Sequence, residues 1–535
     1  MTKPSRRERD DPRNDASDND TRAAAPSSPA FFDAQAPLFA ALLASALLLV
    51  VRLYAAQHIG FGDAEALYAC YARHPQPVYL DHPGLIGVAA RIIGGGSPPS
   101  PVAAHRITAV LCTVAPWAGA LAARAAGVSP TTSAVAALAL LLAPEISIGL
   151  FGLTPDLLLI LFWYTSVAAS LWAITARPGS LRALLGALAS GAAAGLACDS
   201  KVSGALLLAG LALAWGSRHA SAHRRTAAPW AALVVALIVV FPVVAEEIER
   251  GFPMLRHRLV DTQKEAGLSL RNLGAVLGGQ LLYVTPPLLL GAYSVARDLH
   301  RRRHDDAIAY TLWSVTVAAL PLLPLCLVSR VAEPHWIAPL YLALPIHLAR
   351  RSPFLHPTLV KAALATSAIA LTFAHAWVLL PIGPTLLGQK YEPRYDLAND
   401  LFAWKKTLPV VREALEESAS DTPPIVVGPH WTVCAQVHAA LPGSVLVGCR
   451  GDIRDDFADW LPSSTWEKAP TLLFVSDDRF PIPLDLLHRR RVDSTWTAEV
   501  RRGGVVVRRA IIWRLVASAV TLSVPADRGT RETTF

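Results

Sequence analysis

Residues 37–87 read "PLFAALLASALLLVVRLYAAQHIGFGDAEALYACYARHPQPVYLDHPGLIG", an apolar run followed at once by a polar stretch with acids, tyrosines and prolines. A helix of about 20 apolar residues spans the hydrocarbon of a bilayer. Asp63, Glu65, Asp81 and His82 therefore stand directly beside a predicted membrane-spanning helix. The prolines between them restrict the backbone of the loop that carries them.

The rest of the chain repeats the apolar pattern. Of its 535 residues 53% are apolar and only 17% are charged, and the mean hydropathy is +0.38. This composition excludes an ordinary soluble domain and predicts an α-helical polytopic membrane protein. About eleven spans are predicted from hydropathy. They lie at 37–56, 107–126, 131–149, 155–175, 181–198, 202–216, 228–246, 273–297, 307–328, 335–349 and 358–381.

Arginine marks one side of this predicted membrane protein. The basic residues of the connecting segments fall on alternate loops, and the positive-inside rule makes those loops cytoplasmic. The N-terminus is then inside and the loop with Asp63 outside. The formal net charge of +8 comes mostly from these arginines, and no interleaved aromatic residues indicate nucleic-acid binding. The loop arginines are Arg177, Arg182, Arg218, Arg224, Arg225, Arg297, Arg301, Arg302, Arg303, Arg350 and Arg351.

Composition divides the chain into three parts. Residues 1–35 mix Asp, Arg, Ser and Pro with few bulky apolar residues, which predicts a disordered cytoplasmic tail. Residues 36–381 form the transmembrane domain, whose first periplasmic loop is 57–106. Residues 382–535 alternate short β-rich runs with a helical pattern, so we expect a small soluble α/β domain in the periplasm.

Two details of the C-terminal domain can be predicted. The stretch "TAEVRRGGVVVRRAIIWRLV" indicates a hairpin about Gly503–Gly504, and the apolar run 510–524 is too short for another span. Cys434 and Cys449 both lie in this domain. An oxidising compartment allows a disulfide between them, and two unpaired buried thiols are the open alternative.

Polar and ionisable residues collect in the predicted outer loops. Charged groups beside hydrocarbon are costly, so those that are kept usually mark a working site or a helix end. Two interpretations of Asp63 and Glu65 stay open: acids that cap the helix "AEALYACYA", or a general base in a stiffened loop. Later outer loops carry Asp156, Lys201, the amphipathic stretch 247–272 with His257, and Glu333 with His335.

The run "GDAEALYACYARHPQPVYLDHPGLIG" resembles the first external loop of bacterial membrane glycosyltransferases of family 39. These are the protein mannosyltransferase and aminoarabinose transferase types, which have the GT-C fold. Further similar stretches follow in the family's order, from about residue 37 nearly to the end of the chain. They are "AHRITAVL", "TPDLLLILFW", "GLACDSKVSGALLL", "GGQLLYVTPPLLLGAY", "EPHWIAPLYLAL" and "VVGPHWTVCAQVHAALPGSVLVGCRGD".

The chain departs from the family's pattern at two points. The adjacent Asp-Glu pair becomes Asp63-Ala64-Glu65, and His-Pro-Pro becomes His82-Pro83-Gly84. Glu65 keeps the spacing to Tyr68, whereas Asp63 keeps the identity of the acid. Either carboxylate is therefore a candidate for the catalytic position.

The resemblance implies a GT-C-like bundle and a transferase activity. A sugar would pass from a polyprenyl-phosphate donor to an envelope acceptor on the periplasmic face, with inversion, and membrane lipids would surround the protein. The acceptor would be a lipid, of the lipid A or another glycolipid type, or a protein. Asp63 or Glu65 would act as the general base.

The other candidate residues concern the donor. Arg106 and Lys201 would hold the leaving phosphate, although both also suit a plain interfacial anchor. A divalent metal ion is a candidate cofactor, and Glu65, His257 and His335 are its candidate ligands. The same resemblance assigns donor or substrate contacts to Asp81, His82, Asp156, His257, Gln280, Glu333 and His335.

Two other classes of function are alternatives. A transporter or flippase of a lipid-linked sugar predicts broken helices and ionisable groups at the bilayer midplane, together with internal repeats. This sequence has no repeat period and its ionisable groups gather in outer loops. A non-catalytic assembly subunit is the second alternative, and only the altered spacing of Asp63 and Glu65 favours it.

Overall fold

The computed structural model describes residues 35–263, 266–329, 331, 333–351, 355–419 and 423–517. Of the predicted tail, 1–35, only Gln35 is among the described residues. The described N-terminal part is a helical bundle. Its helices are α1 (Ala36–His58), α2 (Asp63–Cys70), α3 (Leu85–Ile93), α4 (Pro101–Ala125), α5 (Pro130–Leu141), α6 (Pro155–Ile174), α7 (Leu181–Ser200), α8 (Gly204–Gly216), α9 (Ala228–Glu249), α10 (Pro253–Leu259), α11 (Leu270–Tyr283), α12 (Pro286–Arg302), α13 (Ala307–Ala318), α14 (Leu322–Val328), α15 (Leu344–Arg350) and α16 (Pro357–Leu379).

Most predicted spans correspond to helices of this bundle. Seven described segments are long and apolar enough to cross a bilayer: α1, α4, α6, α7, α9, α16 and the pair α13–α14. The bent pair α11–α12 would make an eighth, and α5 and α8 are shorter apolar helices. The chain is therefore a multi-pass membrane protein, and the number eleven stays a prediction.

Several predicted spans are not single straight helices; the span 131–149, for example, is α5 followed by a π-helical segment, Glu145–Gly149. The span 273–297 is divided into α11 and α12, which meet at an angle of 97°. Thr285 has a φ of 71° at the break and a proline pair follows it, so the backbone cannot continue as one helix. The span 335–349 is a 3₁₀ segment, Pro334–Leu340, followed by α15, because prolines interrupt the α-helical hydrogen bonds.

Small residues bring the central helices close together. Helix α7 packs between α6 and α9. A Cβ added to Gly191 of α7 would lie 2.1 Å from the carbonyl oxygen of Ala232 in α9. Close contact at small residues replaces the hydrophobic driving force that water supplies to soluble bundles.

The predicted cytoplasmic loops meet at one end of the bundle. The guanidinium of Arg218 donates to the carbonyl oxygen of His304, and Arg350 lies 2.8 Å from Asp306. The ring of His347 is 2.9 Å from Asp298. The ring of His223, between α8 and α9, lies 3.2 Å from the carbonyl oxygen of Ile174 at the end of α6. The basic loops between α6 and α7, α8 and α9, and α12 and α13 thus share one end, and α2 and the C-terminal domain lie at the other.

The C-terminal part is an α/β domain, as predicted. Its five-stranded sheet has the order β2-β1-β3-β5-β4, in which β2, β1 and β3 are parallel and β5 is antiparallel to both neighbours. Its elements are α17 (Ile382–Leu387), α18 (Asp400–Glu417), β1 (Ile425–Gly428), α19 (Trp431–Ala440), β2 (Val447–Cys449), α20 (Asp456–Trp460), α21 (Ser463–Trp466), β3 (Thr471–Asp477), α22 (Leu484–Arg489), β4 (Arg490–Arg502) and β5 (Val505–Ala517).

The two details predicted for this domain can be compared with the structure. Gly503 and Gly504 have φ of 56° and 82° and connect β4 to β5, as a type I′ turn requires. Residues 510–517 of the apolar run lie in β5, and the remainder of that run lies outside the described residues. Cys434 and Cys449 form a disulfide whose Cα atoms are 5.8 Å apart.

The domain contacts the bundle and its first loop at several places. Arg502 donates to the carbonyl oxygens of Trp377, Val378 and Leu380, at 3.2, 2.6 and 3.0 Å, and so caps the end of α16. The loop after α2 packs with α19 and α20 in one buried cluster that includes Tyr71. The first loop is therefore held between the bundle and the domain.

Candidate active site

A chain of ion pairs joins three segments at the end of the bundle that faces the domain. Lys201, at the end of α7, places Nζ 2.7 Å from Oδ1 of Asp156, in the first turn of α6. Nε2 of His335 is 4.0 Å from the other oxygen of Asp156, and Nδ1 of His335 is 3.2 Å from Glu333. The hydrogen bond from His335 is the main cause that holds the pKa of Glu333 below its ordinary value.

The turn after α2 contributes a second set of polar contacts. Arg258 of α10 donates from Nε to the carbonyl oxygen of Asp81, and its NH2 lies 3.1 Å from the Asp81 carboxylate. The same guanidinium lies 3.2 Å from Nε2 of His82, and the hydroxyl of Tyr68 is 3.0 Å from that nitrogen. Nε2 of His82 therefore acts as the acceptor. His257 lies beside this turn, with Nε2 3.8 Å from Asp81.

Trp336 connects the two sets. Nζ of Lys201 lies 5.9 Å from the centre of its ring, and the guanidinium carbon of Arg258 lies 5.7 Å from it. Burial, followed by the positive charges of Arg258 and Lys201, holds the pKa of His82 well below its ordinary value. Lys201 and Arg258 are each paired with a carboxylate. We define the polar cluster as Asp81, His82, Asp156, Lys201, Arg258, Glu333, His335 and Trp336.

An apolar cavity of about 360 Å³ lies within the bundle. Residues of α1, α5, α12, α15 and α16 line it, and among the described residues of its lining Glu145 is the one acid. Glu145 is also within electrostatic range of Asp156 and Lys201. The cavity therefore extends from Ala36, at the start of α1, to a carboxylate near the polar cluster.

Comparisons with known proteins agree with this architecture. Residues 92–245 match the model of the family described as dolichyl-phosphate-mannose-protein mannosyltransferase. No curated protein sequence matches the chain. ArnT from Cupriavidus metallidurans, solved bound to undecaprenyl phosphate, is similar with a TM-score of 0.59 and 17% identity. The match covers 88% of this chain and 97% of that chain. The chain has the GT-C fold.

Two further solved structures are less similar. An oligosaccharyltransferase of Archaeoglobus fulgidus, tethered with an acceptor peptide, has a TM-score of 0.49 and 12% identity, over 82% of this chain and 69% of that chain. The Pmt1-Pmt2 protein O-mannosyltransferase complex of S. cerevisiae, bound to the sugar donor, has a TM-score of 0.34 and 18% identity. That match covers 41% of this chain and 34% of that chain.

Within the GT-C fold the two predicted base candidates have separate partners. Glu65 is buried, and its carboxylate accepts from His105 at 2.9 Å, Leu153 N at 2.7 Å and Gly62 N at 2.9 Å. Burial opposes its charge, but these donors hold the pKa of Glu65 below its ordinary value. Asp63 instead lies 2.7 Å from Arg479 of the C-terminal domain.

These contacts do not bring the acids near position 63 together with Arg106 and Lys201. With the Gln57 amide oxygen turned toward it, the Arg106 guanidinium donates twice to Gln57, at 2.8 and 3.0 Å. Lys201 pairs with Asp156. Each predicted cation and each predicted acid has a partner of its own. The acids of α2 in particular face α4 and the C-terminal domain.

Gln280 and the metal candidates have positions that sequence reasoning could not specify. The Gln280 amide donates to the Pro334 carbonyl oxygen at 2.9 Å, so it holds the segment that carries His335. Among the described residues, no three His, Cys, Asp or Glu side chains converge as a metal site. Glu65, His257 and His335 contact different partners and do not form the predicted ligand set. A divalent metal ion stays a prediction without a site.

Three residues of this region were missed by the sequence analysis. Arg258 stands in the amphipathic loop one position after His257, and Tyr68 lies on α2 one turn after the first-loop acids. Glu145 interrupts the apolar run "LLAPEISIG". An ionisable residue within such a run is a sign of a functional site, and this sign could have identified Glu145.

Proposed function

We propose that this protein is an integral-membrane glycosyltransferase that uses a polyprenyl-phosphate sugar donor and transfers the sugar to an envelope acceptor on the periplasmic face. The observation that carries the proposal is the position of Lys201 and Arg258. Both cations lie against Trp336, within one polar cluster, and the apolar cavity approaches that cluster at Glu145. A phosphate attached to a long apolar chain has the matching chemistry.

The cations would hold the leaving group. As the bond between the anomeric carbon and the phosphate oxygen breaks, its electron pair stays on that oxygen and the phosphate gains charge. Arg258 can donate two parallel hydrogen bonds to phosphate, and Lys201 supplies a compact point charge. Positioned cations stabilise such charge most when water is excluded. The carboxylates of Asp156 and Asp81 hold the two cations until the donor binds.

A carboxylate of the first loop would be the general base. In a single displacement with inversion, the acceptor oxygen forms a bond to the anomeric carbon and its proton passes to the base. Asp63, Glu65 and Asp81 are the candidates. The contacts support Asp81 best, because it lies in the polar cluster and its partner Arg258 would turn to the phosphate when the donor binds. Glu65 instead accepts from three donors and Asp63 pairs with Arg479 of the C-terminal domain, and neither partner set belongs to the cluster.

Two features support a periplasmic site in a bacterial inner membrane. The disulfide between Cys434 and Cys449 suits an oxidising compartment. The arginine-rich loops lie at the opposite end of the bundle, where the positive-inside rule expects the cytoplasm. A hydroxyl of a glycolipid or of a protein is the acceptor chemistry that this side of the membrane offers.

Sugar transfer by purified protein tests the proposal. Protein in detergent receives a radiolabelled polyprenyl-phosphate sugar together with envelope lipids and proteins, and label that leaves the carrier is measured. We expect transfer by the wild type and a loss of about 100-fold or more in Asp81→Asn, since a general base contributes about 10²–10⁴ in rate. Asp305→Asn, an exposed aspartate at the arginine-rich end, is the control.

Other results would separate the candidates. Loss confined to Asp63→Asn or Glu65→Gln would move the base to that residue. In proteoliposomes, movement of the carrier across the bilayer without release of the sugar would support a flippase and contradict the proposal. Neither transfer nor movement would support an assembly subunit.

A further inference from the structure

We infer that the C-terminal domain completes the active site through Asp456, which holds the turn that carries Asp81 and His82. Asp456 is thus a positioning residue for the proposed transfer, and the inference rests on that proposed function only for its kinetic consequence. The sequence analysis assigned no residue of this domain to the site.

The contacts of Asp456 lead directly to the turn. Oδ1 accepts a hydrogen bond from the backbone N–H of Leu80 at 3.0 Å, and Leu80 is the residue before Asp81. Oδ2 accepts from the hydroxyl of Tyr71 at 3.0 Å. One carboxylate therefore joins the turn to the end of α2.

Besides Asp456, Arg258 and Tyr68 contact the side chains at the tip of the turn, and Arg258 also donates to the carbonyl oxygen of Asp81. The N–H of Tyr79 donates to the carbonyl oxygen of His82 at 2.9 Å, which closes the turn on itself. The ring of Tyr79 stacks on Tyr71, with centres 3.6 Å apart and planes at 2°. Because Asp456 accepts from Tyr71 as well as from Leu80, it fixes both sides of this stacked pair.

Asp456 is an acid buried beside other acids, which is an unfavourable environment for a carboxylate. The side chain is buried, and Asp81 and Asp455 are its charged neighbours. Burial and those two acids raise the pKa of Asp456 to about 7. Burying such a group without a cation costs free energy, so its hydrogen bonds to the first loop must offset that cost.

The rest of the domain holds Asp456 in place. Phe457, the next residue, is fully buried in the cluster that joins the domain to the first loop. The disulfide links α19 to the end of β2, and the chain runs from there to α20. Arg73 adds a parallel contact, since its guanidinium donates to the carbonyl oxygens of His438 at 2.7 Å and Leu441 at 2.5 Å.

Hydrogen exchange and kinetics on the full-length protein test the inference together. We expect Asp456→Ala to raise exchange in the peptide 78–84 by about tenfold, because the Leu80 N–H loses its acceptor. Asp456→Asn keeps one oxygen for Leu80 and should stay within about threefold of the wild type. Asp452→Asn, an exposed residue of the same segment, is the matched control.

The kinetic readout separates positioning from general folding. Asp456→Ala should lower kcat for sugar transfer by about tenfold, with a much smaller change in KM for the carrier, while Asp456→Asn restores most of kcat. Unchanged exchange in 78–84 in Asp456→Ala would overturn the inference whether or not the enzyme is active. Raised exchange in a protein without any transfer would keep the inference and reject the proposed function.

A second variant covers the case in which Asp456→Ala does not fold. Tyr71→Phe removes only the hydroxyl that donates to Asp456 and leaves the ring stacked on Tyr79. We expect a smaller rise of exchange in 78–84 and a smaller fall in kcat than for Asp456→Ala. Wild-type values for both would contradict the role of this carboxylate.

Discussion

Lys201 pairs with Asp156 at 2.7 Å, so a phosphate that binds Lys201 must compete with a carboxylate. We expect Lys201→Met to weaken binding of undecaprenyl phosphate by about 10–100-fold, since a charge-assisted hydrogen bond contributes about 1.5–3 kcal/mol. Asp156→Asn removes the competing charge and should strengthen binding. Thermal stabilisation by undecaprenyl phosphate in detergent measures both.

The exposed Lys406 on α18 provides the control for this pair. Lys406→Met should bind undecaprenyl phosphate as the wild type does. Equal binding by Lys201→Met and wild type would remove Lys201 from the donor site. Weaker binding by Asp156→Asn would show that the carboxylate orients Lys201 and does not compete with the phosphate.

At the scale of residues, the sequence indicated which polar side chains lie close together better than it indicated the partner of each. Asp81, Asp156, Lys201 and His335 were predicted because charged groups beside hydrocarbon are costly, and the structure brings them into one cluster. Glu65 was equally visible in the sequence. Its burial against His105, which comes 40 positions later, depends on how α2 packs on α4, and no local pattern determines that packing.

Helix α11 lies against the 333–336 segment at Gly279, and its neighbour Gly278 makes no such contact. A Cβ on Gly279 would lie 2.4 Å from the Cβ of Pro334, whereas a Cβ on Gly278 would meet no atom within 4 Å. We expect Gly279→Ala to displace Pro334, and with it His335 and Trp336, and to reduce transfer by about tenfold or more. Transfer rates of the two purified variants measure this.

The neighbouring substitution is the control. Gly278→Ala should leave transfer unchanged and stabilise the helix by up to about 1 kcal/mol, because alanine orders the helix at lower entropic cost. Equal activity of the two variants would mean that α11 does not position the segment. A loss in both would point to the helix as a whole.

At the scale of elements, the sequence predicted α1, α4, α6, α7, α9 and α16 well. Each of these helices is one continuous apolar run, so it can be identified from its own residues without knowledge of its neighbours. The β-rich runs and the Gly503–Gly504 turn predicted the sheet for a similar local reason. The division of 273–297 at Thr285 was missed, although the following proline pair was visible. Hydropathy averages over such a break, and only backbone geometry shows the 97° bend.

At the scale of the whole molecule, the disulfide between Cys434 and Cys449 contributes to the stability of the fold. A closed loop of 15 residues stabilises a fold by about 3 kcal/mol in the chain-entropy account. We expect a reductant to lower the melting temperature of the purified protein. The variant with both cysteines changed to alanine should melt at the lower temperature with or without reductant.

The other cysteines make this comparison clean. Cys70, Cys112, Cys198 and Cys326 are buried and unbonded, so the reductant has no second disulfide to break. A wild-type melting temperature that does not change after complete reduction, verified by thiol labelling, would contradict the expected stabilisation. A fall in the alanine variant upon reduction would show that the effect comes from elsewhere.

The contact between the first loop and the domain also sets an order of events during translation. Leu80 and Asp456 are separated by 376 positions, so the ribosome makes the loop long before it makes its partner. At about 5–20 residues per second, this interval lasts roughly 20–80 s. A nascent chain that ends before Asp456 has its membrane helices and Lys201 but lacks the partner of Leu80. Full activity is therefore expected only after Asp456 has been made, when the whole of the transmembrane domain, 36–381, has already been synthesised.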